Sequence, residues 1–254
     1  MDERTTKYFL KRTGKLFVRA KQVSKEKGIY YVVRVGIKII FKWPKDLFGY
    51  WYYKNFKSWR TFTFQNDTYN YFCHQYNTTW RNERAVEIPI IWKIVKKHHE
   101  QKILEIGNVL SHYFPVNHDI LDKYEKADGV INQDVIDFQP ARHYDLIASI
   151  STLEHVGWDE SPREPMKILQ AIENLKKILT RNGKLVVTLP FGYNSVMDEL
   201  LKKKKIQFIK MHCLKRISKD NKWIETGWND ICDAKYNHPF PSANGLVIGI
   251  IERK

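Results

Sequence analysis

Cysteine is scarce in this 254-residue chain, acidic residues are scarce in its first quarter, and no long apolar run is free of charge. Cys73, Cys213 and Cys232 lie far apart and form no CxxC pair. Such a set builds neither a disulfide framework nor a zinc site, so a reducing, cytoplasmic compartment is expected. The start lacks the apolar core and small-residue cleavage site of a secretory leader. The stretch "GIYYVVRVGIKIIFKWPKDLFGYWYYKNF", residues 28–56, is interrupted by Arg34, Lys38 and Lys42, too much charge for a bilayer-spanning helix. A dinucleotide turn would show several glycines after its first strand. Here Val109 and Ser111 stand in their places, and only Gly107 remains.

What is present is a core-forming composition, 43% hydrophobic and 28% charged, with a net charge of +15. That charge is unevenly placed. Residues 1–60 hold 16 Lys/Arg against 4 Asp/Glu, a balance of +12, and the other 194 residues carry only +3. A basic, aromatic extension over 1–60 therefore precedes a body over 61–254. It seeks an anionic surface, either lipid headgroups or nucleic acid. Arg34, Lys38 and Lys42 recur every four residues and share one face of a helix, which suits a helix lying in a membrane interface. A buried helix or strand with snorkelling lysines fits the same pattern, and so does a nucleic-acid contact.

"RTFTFQNDTYNY", residues 61–72, alternates aromatics around Asn66-Asp67 as a hairpin does. "HQYNTTWRNERAVEIPIIWKIVKKH" ends in a helix with Pro89 near its first turn and basic residues at its close. Residues 61–98 are expected to form a lid. From residue 102 short apolar strands alternate with amphipathic segments: 103–106, 119–121, 129–131 and 145–150, a helix over about 164–180, then 184–189, 207–211 and 246–252. Asn182-Gly183 is expected to stop that helix. The alternation predicts an α/β fold, a Rossmann-like, seven-stranded, mostly parallel sheet with helices on both faces.

Open parallel sheets bind ligands at the carboxyl ends of their strands. Glu105, Gly107 and Asn108 close the first strand here. Asp122 follows the second at 17 residues from Glu105, near the spacing at which an acid meets a ribose diol. Asp134 and Val135 follow the third, where a carboxylate can accept from an adenine amino group. Ser151, Glu154 and His155 end the fourth.

The ordered set "ILEIG", "ILDKYE", "NQDVIDF", "YDLIASISTLEHVG" and "LKKILTRNGKLVVTLPFG" resembles the class I S-adenosylmethionine-dependent methyltransferases over residues 102–190. The resemblance implies that cofactor, with Glu105, Gly107, Asn108, Asp122, Asp134, Val135 and Ser151 around it. The cofactor has no phosphate, so one glycine at the turn is compatible with it and poorly compatible with a dinucleotide. His155 is the expected general base, since an imidazole ordinarily titrates near neutrality, with Glu154 orienting it or binding the acceptor. Some members hold a divalent metal on Glu-x-x-Glu-His; Ser151 replaces the first glutamate, so no metal is expected. The Asn/Asp-Pro-Pro-aromatic element of amino-directed members is absent after strand four. Tyr76, Trp80 and Arg84, with Trp223, Trp228 and His238 from "KWIETGWNDICDAKYNHPFP", are expected to line an acceptor pocket. The sum is an O-methyltransferase for a small molecule or lipid-linked saccharide, cytoplasmic or peripheral at the inner face of a membrane. An RNA methyltransferase gripping phosphates through its extension and a non-catalytic adaptor are the alternatives.

Overall fold

The computed structural model describes residues 46–253. Most of the basic extension, including Arg34, Lys38 and Lys42, lies outside the described residues. Helix α1, whose described part is 46–56, leads into a hairpin of β1 (Thr61–Phe64) and β2 (Asp67–Asn70). The hairpin's two-residue loop is Gln65-Asn66, one position earlier than expected, and both residues take positive φ. That is the backbone handedness that matches strand twist in tight hairpins.

Helix α2 (Arg84–Lys97) follows, then β3 (Ile103–Ile106), β4 (Asp119–Leu121), β5 (Val130–Ile131) and β6 (Tyr144–Ile150). After them come α3 (Lys167–Lys177), β7 (Leu179–Phe191), α4 (Ser195–Lys202), β8 (Lys210–Arg216), β9 (Trp223–Thr226) and β10 (Gly245–Glu252). The described residues form one large sheet in the order β5-β4-β3-β6-β7-β10-β8-β9. It is parallel from β5 to β7, and β10 runs antiparallel to both β7 and β8. The fold is the Rossmann-like α/β sheet expected, with eight strands in place of seven, because Trp223–Thr226 pairs antiparallel with β8.

Each central strand is apolar on both sides, as a covered parallel sheet requires. On one face Leu104, Ile147, Leu185 and Val247 pack with Ile168 and Leu175 of α3. On the other, Ile103, Ala148, Val186 and Leu246 pack with Ile88 and Ile91 of α2 and with the hairpin's Phe62 and Phe64. Segment 61–98 is therefore mostly a structural layer. It reaches the loop after β3 at two places: Phe72 and His74 meet Tyr113, and Trp92 of α2 stacks on Phe114 at 4.2 Å.

Pro89 stands sixth in α2, deeper than expected. Proline has no N–H to bond the carbonyl four residues back. That carbonyl, of Ala85, accepts instead from Phe72 N–H at 2.9 Å and ties the preceding segment to the helix. Asn182-Gly183 stops no helix. α3 ends at Lys177, and the pair sits in a bulge of β7 where the register against β6 shifts.

Residues 46–60 belong to the body and not to a separate extension. Arg81 pairs with Asp46 at 2.6 Å. Asp220 receives Lys57 at 2.6 Å, Arg60 at 3.3 Å and the Tyr53 hydroxyl. Asp220 is half-exposed, so solvent screening limits its contribution to about 1 kcal/mol. Asp220→Ala is expected to lower stability by no more than that in urea denaturation. It should also speed tryptic cleavage within 46–60 severalfold, a local release that unchanged cleavage would contradict.

Candidate functional site

The turn after β3 is built without a following α-helix. Gly107 takes φ +82°, and only one short turn, Leu110–His112, precedes β4. The Glu105 carboxylate replaces the missing helical scaffold. Its Oε1 accepts from Val109 N–H at 2.9 Å and Leu110 N–H at 2.7 Å, and its Oε2 lies 2.8 Å from His118 Nε2. Glu105 has no exposed surface. Its carboxylate, expected to meet a cofactor, is turned inward and holds the loop's shape. Gly107 is also needed for a different reason than expected: a Cβ there would overlap the Thr152 hydroxyl arriving from the end of β6.

Asp122 remains at the crevice edge, partly exposed. Its Oδ2 accepts from Asn108 N–H at 3.0 Å, and its Oδ1 accepts from Tyr124 N–H at 2.8 Å and Glu125 N–H at 2.7 Å. Asn108 is buried and accepts from the Ser111 hydroxyl. A carboxylate offers about four acceptor positions, so one on Oδ2 is left over. Asp134 is more heavily engaged than the sequence suggested. Its Oδ2 receives Lys123 at 2.8 Å and Lys167 at 2.7 Å, and both lysines also meet Glu160, at 3.2 and 2.7 Å. Burial pushes the Asp134 carboxyl up, but the hydrogen bonds from Lys123 and Lys167 more than offset it and bring it to about 2. Oδ1, which accepts only a 3.3 Å contact from Ile136 N–H, is its available side. Val135 is a buried wall whose carbonyl accepts from Asn174.

Behind these edges lies a buried polar cluster. Glu87, on α2, has no exposed surface; its Oε1 accepts from the Thr188 hydroxyl at 2.6 Å and from the Ser151 hydroxyl. Its Oε2 pairs with Arg84 at 3.1 Å, and Arg84 also donates to the Ile150 carbonyl at 2.8 Å. Ser151, held at φ +39°, therefore commits its side-chain hydroxyl to this cluster. Arg84 likewise acts as an internal brace. Glu154 is buried beside them, with Oε2 lacking any hydrogen-bond partner. Burial, reinforced by the charge of Glu87, holds its carboxyl well above the usual carboxylate range. Low-dielectric sites disfavour the charged form of a carboxyl in this way.

His155 stands at the mouth. Its Nδ1 lies 2.5 Å from Asp159 Oδ2, and its Nε2 lies 3.6 Å from Glu154 Oε1. Asp159 also accepts from the Tyr193 hydroxyl at 2.6 Å. An acceptor at Nδ1 fixes the tautomer that leaves Nε2 basic. Tyr193 is placed by the turn ending β7, where Gly192 takes φ +86° because loop 234–236 crosses directly over it. Asn194 then caps α4, accepting from Val196 and Met197 N–H, and donates to the Glu154 carbonyl. Tyr236, on the crossing loop, packs edge-on against Tyr193 at 5.1 Å. Burial and the charges of Glu83, Glu154 and Glu87 push its hydroxyl up. Asp159 and Tyr193 were missed in the sequence reading, where the one available signal was the acid four residues after His155; Tyr236 belongs to the 222–241 stretch expected to line an acceptor pocket.

The expected acceptor-pocket residues divide. Tyr76 stacks on His112 at 4.1 Å beside the β3 loop. Trp228 lies partly buried against Phe191, and His238 is exposed at a loop tip. Two expectations are overturned. Trp80 is buried against Tyr50 and Tyr53 of α1, and Trp223 is buried in the core with Nε1 donating to Asn221. Both are packing residues.

No family model matches the chain, and no curated protein matches it. Solved structures that resemble it include the N-methyltransferase NodS from Bradyrhizobium japonicum, at 14% identity and a TM-score of 0.39, covering 68% of this chain and 97% of that one. Others are a TehB-like SAM-dependent methyltransferase from Corynebacterium glutamicum (17%, 0.35, 65% and 95%) and the sugar N-methyltransferase KedS8 from Streptoalloteichus (10%, 0.31, 67% and 88%). Overlaps of this extent leave the weight of any functional reading on the strand ends themselves.

Gly107→Ala is expected to lower stability by about 2 kcal/mol, from positive φ and the Thr152 overlap together, measured by urea denaturation. An acid whose folded-state pKa is raised stabilises the fold below its unfolded value and withdraws that stability as pH climbs to the folded one. Glu154, and Glu83 with the same sign, should therefore make stability fall as pH rises above the ordinary value of 4.5. The slope is about 1.4 kcal/mol per pH unit for each proton. Glu154→Gln should flatten that decline in pH-dependent denaturation; an unchanged slope would assign the proton elsewhere.

Proposed function

We propose that the chain is an S-adenosylmethionine-dependent methyltransferase that methylates a hydroxyl of a small molecule or lipid-linked saccharide at a membrane surface. The observation that carries this reading is the joint placement at the carboxyl edge of β5-β4-β3-β6. There Asp122 keeps a spare acceptor on Oδ2, Asp134 keeps one on Oδ1, and the 151–155 turn brings a His–Asp pair to the adjoining strand end. These residues fit the cofactor: Asp122 would take a ribose hydroxyl, Asp134 an adenine amino group, and the Gly107-Asn108 backbone would border its amino-acid part. When bound, it supplies an electrophilic methyl on a sulfonium.

The chain's own part is alignment and proton removal. Asp159 holds the Nδ1–H of His155, so Nε2 takes the proton of the acceptor hydroxyl. Tyr193 holds Asp159 in turn. Glu154, with Oε1 3.6 Å from Nε2 and Oε2 without a hydrogen-bond partner, offers a further polar contact to the acceptor. With Tyr236 this makes a wall of hydrogen-bonding groups suited to a polyhydroxylated molecule. The +12 balance of residues 1–60 supports work near an anionic surface. One observation favours a second reading, an adaptor that keeps the fold without the chemistry: Thr152 fills the open face of Gly107 that a cofactor would approach.

Asp122→Ala should weaken S-adenosylhomocysteine binding at least about tenfold in calorimetry, as for a lost charge-assisted hydrogen bond. No binding by the unaltered chain would select the adaptor. His155→Ala should spare that affinity and slow methyl transfer about a hundredfold, and Asp159→Asn should slow it less. Near-normal turnover in His155→Ala would remove the imidazole from the reaction.

A further inference from the structure

Helix α1 has two unlike faces. Asp46, Gly49, Tyr50, Tyr53 and Lys57 turn toward the body, against Arg81, Trp80 and Asp220. Leu47, Phe48, Trp51, Tyr52 and Phe56 turn away, joined by Trp59 from the turn that follows, whose Nε1 donates to the Phe56 carbonyl. Exposure is 64% at Phe48, 50% at Trp51, 54% at Phe56 and 76% at Trp59. The outer rings form one contiguous patch, with centroids of Phe48 and Trp51 at 5.8 Å, Trp51 and Phe56 at 5.4 Å, and Tyr52 and Phe56 at 5.6 Å. Isolated exposed apolar residues are normal, whereas a contiguous aromatic patch marks an interaction surface.

We propose that this outer face of α1 docks the protein on an anionic lipid surface, with the Phe48, Trp51, Phe56 and Trp59 rings at headgroup depth. Three features select lipid. Tryptophan and tyrosine favour the membrane–water interface, and Lys54, exposed on the same helix, supplies an accompanying cation. The 45 residues before Asp46 carry 13 Lys/Arg against 3 Asp/Glu, so the sequence preceding this face is strongly attracted to negative headgroups. Nucleic-acid bases stack on separately presented ring faces, whereas here Trp51 meets Phe56 edge-on at 69° and Phe48 lies near-parallel to Tyr52 at 19°, rings gathered on one another as one apolar surface. Among the described residues no helix is long and apolar enough to cross a membrane; the proposed attachment is the in-plane seating of an amphipathic face. The inference deepens the membrane-surface part of the proposed function and is independent of the methyl-transfer part.

The test is co-sedimentation of the full chain with vesicles of phosphatidylcholine alone or with roughly a third phosphatidylglycerol. Binding to the mixed vesicles is expected to be at least about tenfold tighter than to the neutral ones. The fourfold variant Phe48→Ser, Trp51→Ser, Phe56→Ser, Trp59→Ser should lose at least about tenfold of it. The single variant Trp59→Ala should lose part of it and, in the fluorescence of the bound state, part of the quenching by bromine-labelled lipid. Circular dichroism and urea midpoints of both variants should match the parent, because these side chains are solvent-facing. Equal binding to neutral vesicles, or undiminished binding by the fourfold variant, would overturn the proposal. So would RNA binding or self-association that is abolished by the same substitutions while vesicle binding is not. S-adenosylhomocysteine affinity, measured on the same samples, separates failure of the methyltransferase reading from failure of this one.

Discussion

A carboxylate without solvent contact joins the two layers that frame the crevice. Glu87 reaches from α2 across the sheet face to the hydroxyls of Ser151 and Thr188 at the ends of β6 and β7, and it neutralises Arg84 within the same helix. Burying such a pair is expensive, and what it secures is geometry. Arg84 in turn holds the Ile150 carbonyl, so the point where β6 gives way to the 151–155 turn is fixed from two sides. Ser151 adopts a left-handed backbone under that constraint, and the direction in which Glu154 and His155 leave the strand follows from it. Removing the carboxylate alone would leave an unpaired buried guanidinium and two unsatisfied hydroxyls, a far larger loss than any surface ion pair could cause.

The turn after β3 solves a related problem with few glycines. A nucleotide-binding turn ordinarily leads into a helix whose N–H groups organise the loop. Here the Glu105 side chain gathers those N–H groups instead, and His118 completes it from the start of the next strand. The single glycine is retained where the neighbouring strand end comes too close for a Cβ. Val109 and Ser111 are acceptable at the later positions because no helix start has to be fitted there.

The sequence made the strands visible where apolar runs end in an acid or a glycine: 103–106, 119–121 and 145–150 emerged within a residue of their positions. Direction was invisible. Glu105, Ser151 and Trp223 have the chemistry of site residues, but which way each side chain points depends on sheet faces that form only after long-range pairing. β9 escaped because four residues carry too little alternation to be told from a loop. Asp134 read as a free acceptor because its lysine partners lie 11 and 33 residues away in the chain. Tyr193 and Tyr236 are brought together by a loop crossing over Gly192, a contact with no local signature.

The four alternating charges of Asp134, Lys123, Glu160 and Lys167 cancel one another over the span of their own side chains. That corner of the crevice therefore projects almost no field into solution. A solute entering there is sorted at contact, by shape and by the few acceptor positions still open, and not drawn in from afar.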